Sequence, residues 1–175
     1  MWRHNLVLLT VSLFGAHASA EGVPSASEAG TKAPPVPAAI QGVWKITELA
    51  SRAAGAAWEV RSTPYLSQYI FTAKHYSYMY VLGPNPRKQF AGDPNRPSDA
   101  EKAEAYSSVV AATGTFSLSG QTLTLTALVH KNPNEMTGVA LTYKIEVDRN
   151  TMRMVIDNPP FLPGHEWRTV LTRVE

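Results

Sequence analysis

Gly138-Val139-Ala140-Leu141-Thr142-Tyr143-Lys144-Ile145-Glu146-Val147 decides the fold class. Val139, Leu141, Tyr143, Ile145 and Val147 fall on one side of an extended chain; Thr142, Lys144 and Glu146 fall on the other. Successive side chains of a strand point to opposite faces, so this pattern predicts a strand with one face buried and one face wet. Residues 122–130 repeat it. Leu123, Leu125, Ala127 and Val129 oppose Thr122, Thr124, Thr126 and His130, with Leu128 the single exception.

Outward from these two runs, the chain is a series of short strand patterns separated by turn signals. Val43 to Leu49, Gln68 to Thr72 and His75 to Leu82 precede a long Pro- and Gly-rich loop, Gly83 to Pro97. Gly114 to Leu118 meets Thr122 across Ser119-Gly120-Gln121, and Gly138 to Val147 meets Met152 to Ile156 across Asp148-Arg149-Asn150; both are hairpin signals. Trp167 to Val174 closes the chain. One helix interrupts the series. Ser98 with Glu101 three residues on is a capping-box pattern, Asp99 adds negative charge to the first turn, and Ala100, Ala103, Tyr106, Val109 and Val110 form one apolar stripe. The expectation is an all-β fold of about eight antiparallel strands with one helix inserted after the third. A meander of half-buried strands leaves unpaired edges unless it closes, and eight strands close into a barrel that is filled or holds one small ligand. An up-and-down barrel is therefore preferred to an open sandwich.

The domain opens Ile40-Gln41-Gly42-Val43-Trp44-Lys45 and ends Leu171-Thr172-Arg173-Val174-Glu175. The Gly-x-Trp resembles the opening of lipocalins and the wider calycin group. With the aromatic pair of segments Ile70 to Val81, the start Gly114-Thr115-Phe116 and the closing strand, residues 40–175 resemble the bacterial lipocalin-like domain family. The resemblance implies a barrel in which Trp44 closes one end and Arg173 packs across it. The Thr-Asp-Tyr triplet of standard lipocalins is absent, so their transport function is not carried over.

The first twenty residues combine Arg3, an apolar run from Leu6 to Ala16 and Ala18-Ser19-Ala20, the three-part pattern of a secretory signal cleaved after Ala20. A periplasmic or secreted location is expected. Residues 21–39, rich in Pro, Ala, Ser and Gly, read as a disordered linker. The formal charge of +2 comes from scattered residues, with Arg87-Lys88 the one adjacent basic pair, so no basic face for nucleic acid is expected. No later segment is apolar enough for a stable membrane insertion.

The chain has no Cys, which removes thiol catalysis, Cys-based zinc sites and iron–sulfur clusters. His75, His130 and His165 have no metal-ligand spacing, and no cofactor or metal is expected. Tyr76, Tyr78 and Tyr80 share one face of their strand; inward, they would make an apolar wall bearing hydroxyls, and outward the helix would cover them. The leading expectation is a barrel that binds a small, mostly hydrophobic molecule, lined by Tyr76, Tyr78, Tyr143 and Met154 with His130 as polar anchor. One alternative is an enzyme on the same barrel, an isomerase, cyclase or hydrolase with His130 as the candidate catalytic residue near Glu135. Another is a protein-interaction or inhibitor module using Arg87, Lys88, Phe90 and Arg96 of the 83–97 loop.

Overall fold

The computed structural model describes residues 39–62, 66–82, 86–136 and 138–175. The expected signal segment, all but the last residue of the expected linker, and residues 83–85 of the long loop lie outside the described residues. The elements are β1 (Gly42–Ala53), β2 (Glu59–Ser62), β3 (Ser67–Phe71), β4 (His75–Val81), α1 (Asp99–Ser107), β5 (Val109–Ser119), β6 (Thr122–His130), β7 (Ala140–Asp148), β8 (Thr151–Asp157) and β9 (His165–Arg173).

The strands form one antiparallel sheet in the order β2-β1-β3-β4-β5-β6-β7-β8-β9, and β1 also pairs with β9. Eight strands thus close a barrel, with β2 as an extra strand. The helix follows the fourth strand rather than the third, because β2 was not anticipated. This four-residue strand shares an edge of β1 with β3: Leu49 to Ser51 pair with β2, and Gly42 to Trp44 pair with β3. Glu59 and Val60 of β2 are both exposed, so neither adds to a one-sided apolar pattern. β1 accordingly runs on past Leu49 to Ala53, paired along its other edge with β9.

The alternation in β6 breaks at Leu128 for a structural reason. Thr113 faces Val129 and Gly114 faces Ala127, which leaves Leu128 as the extra residue of a bulge. One extra residue swaps the faces of everything beyond it. Val129, expected inside, is 58% exposed, whereas His130, expected on the polar face, is 9% exposed and points inward. Gly114 permits the bulge, because a Cβ there would lie 2.0 Å from the Thr126 carbonyl oxygen. The helix is also shorter than its apolar stripe suggested. The capping box at Ser98 and Glu101 is present, but α1 ends at Ser107, and Val109 and Val110 begin β5. α1 buries no residue, so it does not cover a face of the sheet.

The core fills the barrel from its closed end. Trp44 is fully buried among Ile40, Phe71, Leu123, Met152 and Leu171. Its indole Nε1–H donates to the Ile40 carbonyl at 2.9 Å, and the Arg173 guanidinium carbon lies 4.1 Å from the ring centroid. Arg173 also donates to the carbonyls of Ala39 and Gln41. Gly42 has φ +126°, and a Cβ there would meet the Glu175 carbonyl oxygen at 2.3 Å. The expected closure is thus made by three residues acting differently. Gly42 admits the chain end, Trp44 plugs the barrel, and Arg173 ties the first strand to the last. Further along the β1–β9 seam, Arg52 pairs with Glu166 at 2.9 Å and Arg168 with Glu48 at 2.6 Å, and both guanidinium groups sit within 4.5 Å of the Trp58 ring.

Candidate functional site

The opposite end of the barrel is hollow. A cavity of about 420 Å³ lies where β4, β6 and β8 end and α1 feeds into β5. Its inner wall is made by Tyr69 of β3, Tyr78 and Tyr80 of β4, Tyr143 of β7 and Thr169 of β9. The register explains this convergence. Tyr69 lies directly across from Tyr78, and Tyr78 across from Ala112, which in turn lies across from His130. Tyr76, Tyr78 and Tyr80 all point inward and stack along β4 at centroid spacings of 5.9 and 6.0 Å, and Tyr69 stacks on Tyr78 at 4.7 Å.

The mouth is built from loops. Phe161, 44% exposed, packs edge-on against Trp167, with ring centroids 5.7 Å apart. Tyr106 reaches over from α1, and its hydroxyl donates to the Lys131 carbonyl at 3.3 Å. Lys131 returns the contact: its ammonium lies 3.9 Å from the Tyr106 ring centroid and donates to the Val109 carbonyl at 2.6 Å. The 3-10 turn Pro133–Met136 between β6 and β7 supplies Glu135.

His130 is the polar corner. The Asn132 amide N–H donates to its Nδ1 at 2.9 Å. Its Nε2 faces Glu135 Oε2 and Tyr78 Oη, each at 3.4 Å. Glu135 and Tyr78 share that one nitrogen, so the corner gathers a carboxylate, an imidazole and a phenol that can hydrogen-bond a polar group of a bound molecule. Among the described residues no group of three or more His, Asp or Glu side chains is placed to hold a metal ion. His75 stands exposed at the closed end, and the Nδ1 of His165 lies 3.0 Å from the Pro163 carbonyl oxygen, so the structure does not bring the three histidines together.

Burial sets the state of the tyrosines. Desolvation pushes the Tyr76 and Tyr80 phenols up from 10.0 to about 12, with the Glu135 carboxylate adding to the shift. Tyr69, Tyr78 and Tyr143 are raised further by burial first and then by their neighbours, including Glu135 for the last two. The wall therefore stays uncharged across the physiological range.

Tyr78, Tyr143 and His130 border this cavity. Tyr76 lines a smaller adjoining space of about 50 Å³ that shares Tyr78, His130, Glu135 and Leu141. Met154 is 1% exposed in the packed core and lines neither space. Lys131, Trp167 and Thr169, which also border the cavity, were not anticipated. In the outer loop, Arg87 donates to the Ala105 carbonyl at 3.1 Å and Lys88 to Glu104 at 3.0 Å, so both bases are tied to α1.

No family model and no curated protein matches the chain. Among solved structures, it is similar to a lipocalin-like protein from Bacteroides uniformis, at 14% identity and a TM-score of 0.43, over 77% of this chain and 98% of that one. It is also similar to an uncharacterized protein from Bacteroides eggerthii, at 11% identity and a TM-score of 0.41, over 75% of this chain and 98% of that one. The barrel itself is established by the strand pairing, from β1 round to β9 and back to β1. No helix among the described residues is long and apolar enough to cross a membrane.

Proposed function

We propose that the chain is an exported lipocalin-like protein that holds a small, mostly hydrophobic molecule in the hollow half of its barrel. The observation that carries the reading is the cavity of about 420 Å³ walled by Tyr69, Tyr78, Tyr80 and Tyr143 and cornered by His130. Its size falls in the range of small-molecule pockets, and its make-up matches theirs: an apolar aromatic lining with a few polar groups that fix orientation. Export is supported by the three-part pattern of residues 1–20.

Native mass spectrometry of the protein expressed with its own leader tests both parts. The mass of a chain starting at Glu21 is expected, accompanied by an added mass that disappears on denaturation or appears on incubation with a library of aromatic compounds. Leu141 lines both spaces, so Leu141→Trp is expected to fill the hollow and remove the added mass while the melting temperature stays within a few degrees. An added mass that persists in Leu141→Trp, or a parent protein that retains nothing from the library, sinks the binding reading. Retention of residues 1–20 in the product sinks the export reading.

A further inference from the structure

Three ionisable side chains besides the tyrosines border the cavity: His130, Lys131 and Glu135. Two of them are satisfied by the protein. The Lys131 ammonium is held between the Val109 carbonyl and the Tyr106 ring. The His130 ring is held by the Asn132 amide N–H at its Nδ1. Glu135 is different. Its Oε1 accepts from Asn132 Nδ2 at 3.3 Å and its Oε2 faces His130 at 3.4 Å. Both contacts are long, and a carboxylate has about four acceptor positions. The least engaged charge at the cavity is therefore the Glu135 carboxylate.

The wall agrees with that sign. Tyr69, Tyr78 and Tyr80 stack in a row at centroid spacings of 4.7 and 6.0 Å, which makes this wall aromatic. Aromatic faces carry negative quadrupole density, which attracts cations and offset-stacked rings. The hydroxyls of Tyr69, Tyr80 and Tyr143 have no hydrogen-bond partner among the described residues, and no wholly buried side-chain polar atom lacks one. Those oxygens thus open onto the hollow and can accept from a guest's N–H groups. Burial first, and the Glu135 carboxylate after it, raises the Tyr76, Tyr78, Tyr80 and Tyr143 phenols, and the same carboxylate repels a guest anion.

We infer that the guest is an organic cation borne on a flat ring system, with its ammonium at the Glu135 and His130 corner and its ring against the Tyr69, Tyr78 and Tyr143 wall. The inference rests on the reading of the barrel as a small-molecule binder and names the ligand class. A flexible fatty acid is the wrong guest on two counts, its charge and its lack of a stacking face.

Isothermal calorimetry with three indoles of similar size tests it: tryptamine as cation, tryptophol as neutral analogue and indole-3-acetate as anion. Tryptamine is expected to bind about tenfold or more tighter than tryptophol, and indole-3-acetate most weakly. Glu135→Gln should bring tryptamine to within about threefold of tryptophol measured on the same variant, whose fold is checked by its far-ultraviolet circular dichroism. Tyr143→Leu, which removes part of the wall, should weaken all three alike. Tryptophol or indole-3-acetate binding as tightly as tryptamine, or a cation preference that survives Glu135→Gln, overturns the inference and leaves the binding reading standing. If no compound of any charge binds here or in the mass spectra, both fall.

Discussion

Replacing Arg173 by Ala tests the closure of the barrel. The side chain makes one ring contact, with its guanidinium carbon 4.1 Å from the Trp44 centroid. It also donates to the carbonyls of Ala39 and Gln41, and more weakly at 3.4 Å to that of Arg149. The ring contact is worth roughly 0.5–2 kcal/mol. The two close charge-assisted hydrogen bonds contribute about 1.5 kcal/mol each, reduced by roughly half because water can reach the freed carbonyls of this chain end. The expected loss is about 3 kcal/mol, or roughly 10 °C in melting temperature for a domain of this size. Urea unfolding followed by far-ultraviolet circular dichroism measures it. Arg173→Lys should recover less than half, because an ammonium cannot span the ring and two carbonyls together. A double-mutant cycle with Trp44→Phe should give a coupling energy of about 1 kcal/mol. A loss under about 1 kcal/mol for Arg173→Ala would show that Trp44 and the strand ladder close the barrel unaided, and the reasoning would be refuted.

Two further outcomes follow from the packing. Gly114→Ala should destabilise by about 3 kcal/mol or more, because the new Cβ meets main-chain atoms of Thr126 that cannot move aside; Gly92→Ala, where a Cβ meets nothing within 4 Å, should stay within about 0.5 kcal/mol, and equal melting of the two would contradict the bulge argument. Alkali should unfold the protein in one step: Tyr76 and Tyr80 are raised from 10.0 to about 12, so the unfolded chain loses those protons first, and the stability they lend is complete below pH 10 and gone by about pH 12, roughly 5 kcal/mol for the pair. Phenolate absorbance that grew smoothly around pH 10 for all seven tyrosines, with circular dichroism unchanged, would refute it.

What the sequence showed and hid divides along physical lines. β5 to β9 were legible because each buries one face, and burial writes a period of two into the residues. β2 was silent because Glu59 and Val60, its described side chains, are both exposed. Val109 and Val110 fit the spacing of the helix stripe, but two adjacent β-branched residues favour a strand, and their pairing with Val81 and Tyr80 decides the matter. Leu128 was the visible trace of the bulge. Its consequence, the inward turn of His130, depends on Gly114 of the neighbouring strand and so is not a local signal. Tyr78 and Tyr143 were found by alternation, whereas Tyr69 and Thr169 enter the cavity through cross-strand register. Met154 follows the same alternation as the cavity residues but sits deeper, where Trp44 and Leu171 leave no space. Lys131 belongs to the site because Val109 and Tyr106 hold it, contacts that no spacing rule reports.

The central claim is that the hollow half of the barrel receives a small molecule. Titrating indole into the isotope-labelled protein and following backbone amide signals by NMR tests it most directly. The account predicts saturable shifts at Tyr69, Tyr78, Ala112, Tyr143 and Thr169, with Gln89, Phe90 and Gly92 of the outer loop unmoved. Shifts confined to that outer loop, or no saturable shift within the barrel, would contradict it.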